Sequence, residues 1–267
     1  MIIDSHEHVM IPASLQLAQM DQACVQKTIL FAAAPHPEQA RGLDDFRKEM
    51  ESLQKILAGS HDVKDNCTRL IGNIHALSER IAQYPQRFLG FGPVLLGLTD
   101  RDTSLWLEQN ILKHGFKGIG EFTPGNDQQM EQLEAVFKAA GDYPRLPLWV
   151  HTFYPVTRSG LDILMALCRS HPSVPVIFGH LGGSDWMDVI GFARQHPNTY
   201  LDLSAVFSAM APKIAVHELP ERCLFSSDAP YGSPWLSRQM VELVSESTEA
   251  ASLVLGGNIA RLLDLGL

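Results

Sequence analysis

The sequence predicts an α/β fold in which eight βα units close into a single (β/α)8 TIM barrel, with a helical insertion after strand two. Three observations predict it: short apolar runs recurring along the chain, amphipathic segments between them, and metal-ligand side chains where several runs give way to loop.

The runs are Ile2 to Asp4, Val25 to Ala33, Phe88 to Val94, Gly115 to Glu121, Pro147 to His151, Val174 to His180, Thr199 to Leu203 and Cys223 to Asp228. Most are continuous rather than alternating, as parallel strands covered on both faces require. Between them, Leu105 to Lys113, Met130 to Ala140, Gly160 to Ser170, Trp186 to Gln195 and Leu236 to Glu246 carry apolar residues at three- and four-residue steps, so they read as helices. Two helices end in His171-Pro172 and His196-Pro197. Proline stops each one, and the histidine is placed to meet the last carbonyls.

The connection from strand two, ending near Ala34, to strand three has room for two helices. Leu43, Phe46, Met50, Leu53 and Leu57 form one apolar face, and Leu70, Ile74, Leu77 and Ile81 form another. The second reads as the barrel helix. The first, with the polar stretch Gly59 to Asn66, makes an insertion over about residues 36–65 at the C-terminal mouth, where barrel active sites are built. It is expected either to act as a lid or to pack on the outside.

The 267 residues are enough for one barrel domain spanning the chain, and 45% hydrophobic with 19% charged residues supplies its core. A net charge of -9 opposes general attraction to nucleic acid or to an anionic membrane, so a small-molecule substrate is expected. Cys24, Cys67, Cys168 and Cys223 form no CxxC pair and read as reduced thiols. With no apolar run long enough to span a bilayer, a cytoplasmic protein is expected, with a homodimer as a candidate assembly.

Chemistry concentrates at the strand ends. In Asp4-Ser5-His6-Glu7-His8 the extended backbone sends residues i and i+2 to one side, so His6 and His8 can face one ion. Other strands end at His151, His180 and Asp228, and neutral imidazoles with a carboxylate suit Zn2+, Mn2+ or Fe2+.

This ordered set resembles the amidohydrolase superfamily, nearest its amidohydrolase-2 branch, whose closing helix the segment Leu255 to Leu263 also resembles. The resemblance implies that His6, His8 and Asp228 hold the more buried metal, with His151 as a further ligand. His180 would be either a ligand of a second metal or a base and hydrogen-bond donor. Binuclear relatives carry a bridging carbamate or glutamate where Gly118-Ile119-Gly120-Glu121-Phe122 ends strand four. Glu121 is therefore read either as a bridge between two ions or as a group supporting one.

The expected activity is hydrolysis of a small ester, lactone, amide or phosphoester, with one or two divalent ions, zinc foremost. A divalent ion lowers the pKa of water from about 16 towards about 7. Asp228 would move the proton, and His180 would help to stabilise the developing oxyanion. His36, Arg158 and Tyr231 are the candidate substrate-binding residues, each also readable as a packing or surface residue. Three alternatives stand beside this reading. They are a metal-dependent decarboxylase of an aromatic or unsaturated acid, a TatD-like phosphoesterase, and a non-enzymatic ligand-binding barrel.

Overall fold

The computed structural model describes residues 1–32, 35–58, 63–143 and 145–266. The expected end of strand two at Ala33, the following Ala34, and Gly59 to Asp62 of the polar stretch lie outside the described residues. Eight strands run parallel in chain order: β1 (Ile3–His8), β2 (Lys27–Phe31), β3 (Phe88–Gly92), β4 (Gly118–Phe122), β5 (Leu148–His151), β6 (Val176–Gly179), β7 (Thr199–Asp202) and β8 (Cys223–Leu224). The last joins the first through backbone hydrogen bonds from Ser5 N to Phe225 O (2.9 Å), Asp228 N to His6 O (2.8 Å) and His8 N to Ala229 O (2.7 Å), which close the barrel.

The helices are α1 (Ala13–Gln22), α2 (Leu43–Leu57), α3 (Val63–Gln83), α4 (Asp100–Trp106), α5 (Asp127–Glu131), α6 (Leu133–Ala140), α7 (Arg158–Ser170), α8 (Trp186–Gln195), α9 (Met210–Glu218), α10 (Pro234–Val244), α11 (Thr248–Ser252) and α12 (Asn258–Leu262). Strand eight is shorter than its apolar run: beyond Leu224 the chain leaves the ladder, and Asp228 takes a left-handed backbone (φ 58°) that turns it out of the strand direction. The helix expected from Leu105 is an α-helix from Asp100 that continues as a π-helical segment, Leu107–Leu112. His196 Nδ1 does meet a helix carbonyl, Phe192 O, at 2.8 Å. The His171 ring instead faces Glu134, with Nε2 3.4 Å from Oε2.

Two apolar layers position the site. A large one lies between strands and helices. A smaller one fills the barrel with Ile29, Phe31, Phe91, Trp149, Ile177 and Leu224, and α12 packs against it through Ile259 and Leu262. Trp149 is fully buried, and its bulk explains two glycines. A Cβ at Gly179 would come within 2.1 Å of its indole. One at Gly120, whose φ is +144°, would lie 2.7 Å from its carbonyl oxygen.

Helix α2 sits over the mouth. Its C-terminal turn touches the loop after β4, where a Cβ on Gly125 would lie 2.4 Å from Leu57 O, and Glu49 Oε2 accepts the His36 amide at 2.8 Å.

Candidate metal centre

His6, His8, Glu121, His151, His180 and Asp228 converge at the C-terminal end of the barrel. Along β1, His6 points inward against Trp149 and Phe31 (ring centroids 4.2 and 4.7 Å). Glu7 points outward and accepts from Gln16 Nε2 (2.7 Å) and Thr28 Oγ1 (3.1 Å). The middle residue of the motif therefore anchors the strand while its neighbours face the site. Asp4 Oδ1 accepts the backbone N–H of His6 (3.1 Å) and of Ser227 (3.0 Å), tying the first ligand to the loop that carries the last.

Glu121 stands at the centre of the cluster. Its Oε2 lies 3.6 Å from His6 Nε2 and 3.5 Å from His8 Nε2, while Asp228 Oδ1 lies 3.7 and 3.3 Å from the same two nitrogens. Ligands about 2.1 Å from a tetrahedral ion stand about 3.4 Å apart, so these edges fit four donors around one cation. His6 supplies a further test. It is fully buried, yet neither ring nitrogen reaches a hydrogen-bond partner, a costly arrangement unless a ligand completes it. The donors present therefore fit a divalent metal.

The other oxygen of Glu121 faces a second set. Oε1 is 3.0 Å from His151 Nδ1 and 4.0 Å from His180 Nε2, and those two nitrogens are 3.1 Å apart. Two hydrogen bonds orient the rings. Tyr154 O accepts from His151 Nε2 (2.9 Å), so that nitrogen carries a proton and Nδ1 is left towards the centre. Ser204 Oγ donates to Asp202 Oδ1, so its lone pair accepts from His180 Nδ1 (2.9 Å), which leaves Nε2 of a neutral His180 as an acceptor.

Asp202 and Ser204 adjoin the cluster, and the sequence reading does not include them. The signal was there, since Asp202 ends strand seven as Asp228 follows strand eight. Asp202 lies close to His6 and His180, but its oxygens are committed to Trp149 Nε1 (3.2 Å), His180 N (3.1 Å), Ser204 N (2.9 Å) and Ser204 Oγ. It orients the site rather than offering a free ligand atom.

The candidate substrate residues separate. Tyr231 joins the cluster, its ring 5.7 Å from His8. Burial, reinforced by Asp228 and Glu121, pushes its phenol pKa up. His36 sits beside Glu38 (3.0 Å) and lines a neighbouring cavity. Arg158 lies at the exposed start of α7, held by Asp162 (3.1 Å), Asp185 (3.5 Å) and Asp188 (2.5 Å), so its charge is already matched away from the cluster. A cavity of about 370 Å³ opens beside His8, Glu121 and Tyr231, with Leu53 and Ile56 of α2 in its wall.

Without metal, the cluster holds protons. Burial pulls the His6 pKa down, but Asp228, Glu121 and Asp202 outweigh it and set it at about 9. His151 is likewise raised, with burial opposing and Glu121 prevailing. Below about pH 9 an incoming cation must displace the His6 proton, and above it the site is already free. Mn2+ affinity is therefore expected to rise about tenfold per pH unit from about pH 7 and to level off near pH 9. Calorimetry in buffers of different ionisation enthalpy measures the released proton, and a pH-independent affinity would contradict this picture.

Comparison with known proteins bears on the fold and the family. No curated protein sequence matches the chain. Among solved structures, 2,6-dihydroxybenzoate decarboxylase from Rhizobium superposes with a TM-score of 0.74 at 18% identity, covering 99% of this chain and 98% of that one. The 5-carboxyvanillate decarboxylase of Sphingomonas paucimobilis gives 0.74 at 16% identity, covering 98% of each chain. A dihydroxybenzoic acid decarboxylase from Polaromonas with bound manganese and 2-nitroresorcinol gives 0.69 at 17% identity, covering 100% of this chain and 97% of that one. The amidohydrolase-2 family model, described as amidohydrolase, matches residues 3–265, and the chain therefore belongs to that family.

Proposed function

We propose that this protein is a metal-dependent decarboxylase of a small aromatic or unsaturated carboxylic acid. The observation that carries the proposal is the cavity beside Glu121, where Leu53, Ile56, Val94 and Phe122 share the wall with polar side chains such as Asn73 and Gln132, a setting for a planar hydrocarbon skeleton that carries polar substituents and whose acid group meets the donor cluster. The decarboxylase activity of the similar barrels supports it. It takes the place of hydrolysis as the main reading. A divalent ion held by His6, His8, Glu121 and Asp228 would supply positive charge to polarise the substrate's acidic groups. Two imidazoles with carboxylates suit manganese as well as zinc, and a similar barrel contains manganese.

The side chains do the rest. Burial works to raise the Asp228 pKa, but His6 and His8 outweigh it, so Asp228 is a carboxylate in the metal-free cluster. Its carboxylate takes a proton from substrate or solvent and hands it to the substrate carbon. The carbon–carbon bond breaks, its electron pair stays on that carbon, and CO2 leaves. His180 Nε2 accepts a hydrogen bond from a substrate hydroxyl. Helix α2 covers the cavity as a lid.

Hydrolysis stays as a second reading for one reason: the two oxygens of Glu121 face separate donor sets, an arrangement that can bridge two ions. The deciding experiment measures metal per chain, then CO2 release in D2O from hydroxylated and carboxylated benzoates alongside ester and lactone hydrolysis. About one ion per chain, CO2 and a deuterated product are expected. Two ions with ester or lactone cleavage and no CO2 would overturn the proposal.

A further inference from the structure

The mouth cavity holds a cation that the metal centre does not use. Arg69, on α3, lines the same cavity as Glu121, among the apolar side chains of Leu53, Ile56 and Leu70. Other arginines of the chain meet carboxylates, as Arg87 does Asp21 (2.8 Å) and Arg238 does Glu242 (2.9 Å), or backbone carbonyls, as Arg80 does Met10 O (2.8 Å). Arg69 differs. Among the described residues it makes no ion pair. Its Nη2 donates to the neutral Asn66 Oδ1 (3.2 Å), and its Nε is buried with no hydrogen-bond partner. Burial lowers its pKa, and among the described residues no anion offsets that.

A guanidinium half withdrawn from water with an unsatisfied N–H is unfavourable by itself. It becomes favourable once an anion arrives, because the planar fork matches a carboxylate with two parallel charge-assisted hydrogen bonds. The cavity wall points to the source of that anion. Glu121, His8 and Tyr231 line the cavity together with Arg69, Leu53 and Ile56 of α2, and Val94 and Leu95 after β3. A molecule filling about 370 Å³ touches both. Among the described lining residues Arg69 is the one permanently charged cation, which balances a single negative charge and so favours a carboxylate over a doubly charged phosphate.

We infer that Arg69 is an anion-binding subsite, and that the substrate carries a second carboxylate besides the group that meets the donor cluster: a dicarboxylic planar acid. This rests on the reading of the mouth cavity as the substrate site, and it assigns Arg69 to binding rather than to the chemical step.

The test uses the full chain loaded with Mn2+ and compares phthalate, isophthalate and terephthalate with their monoamides by calorimetry. At least one dicarboxylate is expected to bind about tenfold or more tightly than its monoamide. Arg69→Gln should remove that preference while leaving Mn2+ affinity unchanged. Arg69→Lys, which keeps the charge but not the fork, should retain only part of it, and this second variant carries the test if the first does not fold. Absence of any dicarboxylate preference in the wild type, or a preference undiminished in either variant, would overturn the inference. Failure of the decarboxylase reading is seen separately, as intact dicarboxylate preference with no CO2 released from any acid.

Discussion

Asp228→Asn is expected to leave the barrel folded while lowering turnover by about a thousandfold, the scale of a lost proton-transfer group. The backbone argument for an intact fold is direct. Asp228 N donates to His6 O, and its carbonyl accepts from Tyr231 N (2.8 Å) and Gly232 N (3.1 Å), none of which involves the carboxylate. Asparagine also tolerates the left-handed backbone at this position better than most residues. What changes is the side chain: an oxygen 3.3 Å from His8 Nε2 becomes part of an amide that cannot carry a proton between substrate atoms. Steady-state kinetics on protein of measured metal content, with circular dichroism as the folding control, checks this. Near wild-type turnover would remove Asp228 from the mechanism.

Glu121→Gln should strike binding before chemistry. Burial favours the neutral acid, but His151 and His6 more than reverse that and hold the Glu121 pKa well below the ordinary range, so its charge is already present when a cation arrives. Replacing it with an amide removes a carboxylate whose two oxygens face the two donor sets, and Mn2+ affinity is expected to fall by about a hundredfold or more. The histidines respond too. With that negative charge gone, the proton held by His151 is less favoured, so the His151 pKa should drop in the metal-free variant, which NMR titration of the imidazole would read. Metal affinity equal to that of the wild type would show that Glu121 is only a neighbour of the site.

Much of this site could be read from residues alone because parallel strands advertise their ends. Where an apolar run stops at His151, the period-two geometry of a strand leaves little choice of direction, and the closure of a barrel carries His180 and Asp228, which follow their strands on left-handed turns, to the same rim. Asp202 obeys the same rule and was still overlooked, since one aspartate in Leu201-Asp202-Leu203 carries no local mark distinguishing it from a solvated residue. Its role depends on the Trp149 and Ser204 partners that only the fold brings near. Arg69 was illegible for another reason. On a helix with an ordinary polar face it reads as a surface cation, and only the fold places it in the same cavity wall as Leu53 and Ile56 of α2. Arg158 was the opposite case: promising beside strand five, but neutralised by acids on its own helix and beyond. The proposed decarboxylation has no sequence signature that separates it from hydrolysis, because both reactions draw on the same ligand types.

The barrel's seam carries one more consequence. Ser227 N reaches Asp4 Oδ1 across a separation of 223 residues, beside the point where His6 and Asp228 face each other. A cation gripped by those two residues would rivet the beginning of the polypeptide to its end, as a covalent cross-link would. It would restrict the unfolded chain by closing a very long loop, an entropic effect that grows only slowly with length. Chelation should therefore loosen the first and last strands together, and amide exchange should quicken there ahead of the middle of the cylinder.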